Sequence, residues 1–62
     1  GAERDLRAAL GLDPTMLDAT VALAGLLGDT RRTDEARQLL LDAPPDIAQD
    51  PAIAKALSAL PR

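Results

Sequence analysis

The stretch Pro14–Ala43, PTMLDATVALAGLLGDTRRTDEARQLLLDA, decides the fold. Its first half is apolar from Ala19 to Gly28 apart from Thr20, and after a polar turn small and apolar residues resume at Ala36, Leu40 and Ala43. Apolar residues at these spacings describe helices, and the pattern predicts one over residues 14–28 and a second over residues 34–43. Two antiparallel helices approach closely only where the facing side chains are small. Ala24 is expected to face Ala36 across this hairpin, with Ala43 closing its far end and Leu23, Leu27 and Leu40 supplying bulk.

The same residues recur outward from the hairpin at a fixed distance. Ala2, Leu6 and Ala9 return as Ala36, Leu40 and Ala43, and Ala22, Leu23 and Leu26 return as Ala56, Leu57 and Leu60, each 34 positions on. A period of this length marks a helix-turn-helix unit that stacks on its neighbours because one unit cannot bury its apolar face alone. Residues 2–12 then read as the second helix of a preceding unit and residues 51–60 as the first helix of a following one. The fold class is all-α, a short right-handed stack of antiparallel helical hairpins with about four helices.

Local signals set the boundaries. Asp13-Pro14 and Asp50-Pro51 each place an oxygen acceptor before a proline, the pairing of a cap with a residue that needs no donor. Thr33 ahead of Asp34 and Glu35 is a third start, with the acids where the helix dipole favours negative charge. Gly11 and Gly28 are expected stops, Gly11 in the left-handed conformation. Pro44-Pro45 cannot continue a helix, so residues 44–49 read as a linker. Aligning the two Asp-Pro pairs gives an offset of 37 instead of 34, and the register of the last helix stays open between the two.

Composition narrows the function classes. Sixty-two residues form at most one small domain, read here as a piece of a longer protein. Below ~70–80 residues one core rarely supplies more than ~3–5 kcal/mol. Cysteine, histidine and aromatic residues are absent, so disulfides and thiolate or imidazole metal sites have no ligands. The core rests on twelve Leu, two Ile, one Val and one Met among thirteen Ala. The longest apolar stretch is about half the ~20 residues of a membrane span. Ten acids against seven bases give a net charge of −3, with Arg4, Arg7 and Arg37 interleaved among acids, so a phosphate backbone has no basic face to meet. We expect no nucleic-acid or membrane partner and a cytoplasmic location.

Nor do the parts of an active site assemble. Ser58 is the single serine and has no histidine to activate it. Gly25 and Gly28 sit in an apolar helix without the strand and lysine of a phosphate loop. The paired acids are explained by capping, and Lys55 among Ala52, Ala56 and Ala59 reads as a solvent-facing charge. No catalytic residue, metal or cofactor is expected. A small acidic carrier domain lacks its attachment turn, because Ser58 follows Leu57 inside the last helix.

The span from Ala2 to Ala43 resembles tetratricopeptide repeats. It carries the family's small-residue positions at Ala2, Ala9, Ala24, Ala36 and Ala43 and its inter-unit proline at Pro14. Thr20, Leu27 and Leu40 stand where the family often has aromatics, and Arg31 stands at a turn position frequently held by glycine. More narrowly, TDEARQLLLDAPPDIAQDPAIAKALSAL, residues 33–60, is similar to the C-terminal region of bacterial thioredoxin-fold co-chaperones.

The resemblance implies a scaffold that holds other proteins or peptides in a groove lined by the first helices of its units. Here that groove would present Asp18, Val21, Gly25 and Gly28, with Lys55 near its continuation. The array type that clamps acidic tails uses a basic and an amide residue where this chain has Val21 and Gly25, which disfavours such tails. The half-units at the two ends define an alternative function, self-association into a homo-oligomer. Leu6, Leu10, Ile53, Leu57 and Leu60 are its candidate face.

Overall fold

A computed structural model describes residues 1–61. The described residues form five helices and no strand: α1 (Ala2–Leu12), α2 (Leu17–Asp29), α3 (Thr33–Leu41), α4 (Pro45–Ala48) and α5 (Pro51–Ala59). The backbone measures 29 × 28 × 14 Å, and the shortest dimension fits two helix layers packed ~8–10 Å apart. At the centre lies α2, which touches α1, α3 and α5, while α5 also rests on α3. The all-α hairpin stack read from the sequence is the fold.

Why α2 is central follows from its composition. It is apolar on most of its circumference, as a helix covered by neighbours on several sides should be. It supplies Leu23, Ala24 and Leu27 to a core completed by Ala36 and Leu40 of α3 and Ile53 of α5. Leu23, Leu27 and Leu40 are the largest fully buried side chains, each worth about 1.5–3 kcal/mol in transfer from water. Ala24 and Ala36 are both buried in this one cluster, and their small size lets the α2–α3 hairpin close.

Several boundaries differ from expectation for identifiable reasons. Asp13 does not cap α2: its Oδ1 accepts the Thr15 amide at 3.0 Å and the Thr15 hydroxyl at 2.5 Å. The carboxylate is thereby spent on a turn over residues 13–16, and α2 begins at Leu17 instead of Pro14. Gly11 is an ordinary helical residue of α1, and no glycine takes a positive φ. The helix ends instead because Asp13 turns extended.

Gly28 likewise continues α2 for one more residue. The left-handed position falls on Arg31, with φ 63°. The Arg32 amide donates to the Leu27 carbonyl at 2.8 Å and the Arg31 amide to that of Gly28 at 3.2 Å. This bond pair is the Schellman stop, built here on a residue with a Cβ, which costs roughly 1–2 kcal/mol relative to right-handed backbone. Arg31 was the turn position singled out in the sequence.

On the C-terminal side, α3 stops at Leu41 and not Ala43, where Pro44 disfavours helical backbone in the residue before it. The expected linker holds a helix of its own. Pro45 opens α4, where its missing amide costs nothing, and Ile47 is buried. Asp50 caps α5 as anticipated, its Oδ1 accepting the Ala52 amide at 2.9 Å. Helices α2 and α5 start at Leu17 and Pro51, 34 residues apart. The regular register therefore holds, and the 37-residue alignment matches a turn with a helix cap.

Candidate functional site

The groove expected on the first helices of the units lies between α2 and α5. Val21, Gly25, Gly28 and Asp29 line it from α2, and Ala56 and Ala59 line it from α5, continued by Leu60 and Pro61. Its volume is about 310 Å³. Of the five residues anticipated for this face, Val21, Gly25 and Gly28 are brought together, whereas Asp18 and Lys55 are exposed and stand outside the lining. Asp29 is a lining residue that a helix ending at residue 28 leaves out. Since α2 runs one residue further than its glycine suggested, Asp29 is placed on the helix.

The two glycines do different work. A Cβ on Gly28 would come within 3.1 Å of Leu60 Cδ2, so the absence of a side chain there lets the end of α5 lie against α2. At Gly25 a Cβ would meet nothing within 4 Å. Gly25 is thus open groove floor, and a side chain added at this position would project into the groove with its Cβ clear of every neighbour.

Residues proposed for a self-association face are largely engaged within the chain. Ile53 belongs to the core, and Leu6, Leu10, Leu57 and Leu60 are partly buried against it. Both ends of the chain fold inward on α2, which withdraws Ile53 from any open face. The large apolar side chains that remain outside are others: Leu12 at 90 %, Leu41 at 63 % and Met16. A smaller apolar hollow of about 160 Å³ opens between Leu10, Pro14, Thr20, Leu39 and Pro44. Thr20 reaches into it where the family often carries an aromatic, and its hydroxyl donates to the Met16 carbonyl at 3.0 Å.

Charge is organised away from the groove. Arg32, which precedes α3, donates to Glu3 of α1 at 2.5 Å and to Glu35 of α3 at 3.1 Å, and Arg7 donates to Glu3 at 3.2 Å. The Arg32 guanidinium, then that of Arg7, holds the Glu3 carboxyl below its ordinary value. Arg32 does the same for Glu35, and Glu35 and Glu3 in turn raise the Arg32 pKa. This chain of ion pairs ties α1 to the head of α3. Asp18 and Asp29 take no part in it, and among the described residues neither is paired with a Lys or Arg.

Among the described residues no group of His, Cys, Asp or Glu side chains is placed to hold a metal ion, and no helix is long and apolar enough to cross a membrane. Ser58 is exposed within α5. What the surface offers is a shallow apolar trough bounded by two helices.

Comparison with known proteins agrees with this geometry. The family model described as tetratricopeptide repeat matches residues 1–60. No curated protein and no solved structure matches the chain. With a stacked helical hairpin, a 34-residue period and a match over nearly its whole length, the chain belongs to the tetratricopeptide repeat family.

Proposed function

We propose that this chain is a protein-binding module that takes a short segment of another protein in the groove between α2 and α5. The observation that carries the reading is the open floor at Gly25 between walls of small residues, an apolar trough that the chain itself does not fill. Selection of a displayed peptide library on the folded chain tests it. Peptides should be enriched on the wild type and lost on Gly25→Leu. Enrichment of none, or equal retention by the blocked variant, would overturn the assignment.

The parent protein, in this reading, is a cytoplasmic bacterial co-chaperone with a thioredoxin-fold module. The support is the likeness of residues 33–60 to the C-terminal region of such proteins. The reading frame upstream of Gly1 should encode that module, and an unrelated upstream sequence would end the proposal.

Self-association is a second reading, favoured by α1, which has no buried residue although its repeat counterpart α3 has two. Sedimentation at increasing concentration should reveal an oligomer that Leu12→Asp dissolves. A monomer throughout would exclude it.

A further inference from the structure

The charged side chain in the groove lining, Asp29, is an acid that no partner within the fold accounts for. Asp18, Gly25 and Asp29 lie seven and four residues apart on α2, close to whole turns, so they share one stripe of the helix. Val21 and Gly28 lie beside that stripe on the wall facing α5. On this stripe Asp29, in the groove lining, and Asp18, outside it and beyond the other end of the open floor, stand eleven residues or about 16 Å apart along the axis. Among the described residues no Lys or Arg lines the groove, and Lys55 of α5, like Asp18, stands outside its lining.

The two acids differ in what the fold does for them. Asp18 sits in the first turn of α2, where the helix dipole favours it. Asp29 sits at the last position, beside the carbonyl end, where the same dipole opposes an acid and favours a cation. The Asp29 carboxylate makes no hydrogen bond or ion pair among the described residues. A cation placed there meets the carboxylate and the helix end together.

We propose that the groove selects an extended apolar segment flanked by basic residues about five positions apart, with one Lys or Arg on Asp29 and the other on Asp18. The spacing follows from 16 Å at about 3.3 Å per residue. This proposal rests on the reading of the groove as a protein-binding site and adds its specificity.

Three labelled peptides of about six residues, with alternating Leu and Ala between ends of Lys, Gln or Glu, test it by fluorescence anisotropy on the intact chain at low salt. The Lys-ended peptide should bind about five- to tenfold more tightly than the Gln-ended one, the scale of two exposed ion pairs, and the Glu-ended peptide most weakly. Added salt should shrink the difference. Asp29→Asn should remove most of it and Asp18→Asn less, with helical circular dichroism unchanged in both.

Equal binding of Lys- and Gln-ended peptides, or no binding of the Lys-ended one, overturns the charge selection. The peptide-library test of the groove is separate from both results. Binding of the Lys-ended peptide that survives Gly25→Leu puts the peptide outside the groove and overturns both readings.

Discussion

Helices α1 and α3 carry the same small and apolar residues at equivalent places, yet Ala36 and Leu40 are 0 % and 2 % exposed while Ala2 is exposed and Leu6 only half-buried. Both helices are amphipathic, and both touch α2. The difference is in what covers them. Helix α3 closes a hairpin with α2 and is also capped by α5, whereas α1 meets α2 alone as its principal neighbour. In a repeat stack the burial of a residue is thus a property of its position in the stack and not of its side chain.

That comparison can be broken most forcefully at the leucines. Leu40→Ala should cost ~2–5 kcal/mol through lost transfer energy and a cavity beside Leu23 and Leu27. Since one core of this size rarely supplies more than ~3–5 kcal/mol, the variant should be largely unfolded by circular dichroism at room temperature. Leu6→Ala should leave a cooperative melt with a lowered midpoint. Equal losses at the two sites would mean that α1 is as integral as α3.

A smaller effect of opposite chemistry is expected at the alanines. Ala36→Leu should overpack the α2–α3 seam and cost ~1–3 kcal/mol, read as a fall in the urea midpoint. Ala2→Leu, at an exposed helix start, should stay within ±0.5 kcal/mol. A harmless Ala36→Leu would undo the hairpin assignment.

The smallest effect concerns the link between the two helices. Glu3 and Glu35 have pKa values lowered by Arg32 from the ordinary 4.5. Their contribution is present above that value and is lost as the pH falls through the lowered folded values. Thermal midpoints measured from pH 6 downward should therefore fall less steeply in Arg32→Gln than in the wild type. Parallel curves would show that the bridge from α1 to α3 adds nothing, consistent with the slight worth of exposed pairs.

How far the sequence carries can be judged element by element. The helices, the central place of α2, the Ala24–Ala36 seam and three of the groove residues follow from apolar spacing and a 34-residue period, signals that side-chain volume and helix geometry make direct. What escaped were competitions among local hydrogen bonds. Asp13 could serve a helix or a turn, and Thr15 two residues on, offering both an amide and a hydroxyl, decided for the turn. The stop of α2 fell on Arg31 although two glycines were near, because it is the Arg31 and Arg32 amides that close back on the last carbonyls of the helix. Helix α4 is a single turn, too short for any period to register, and only Pro45 and the apolar Ile47 announce it.

The empty space over Gly25 has a practical consequence. Because the chain contains no cysteine, Gly25→Cys would create a unique thiol at a point where the added Cβ meets no neighbour within 4 Å. A small environment-sensitive fluorophore attached there would lie in the trough itself, and would dim or shift colour when a bound segment displaces it into water. A glycine that costs its helix roughly 0.5–1 kcal/mol relative to alanine thereby becomes the one address from which the occupancy of this surface can be read directly in solution.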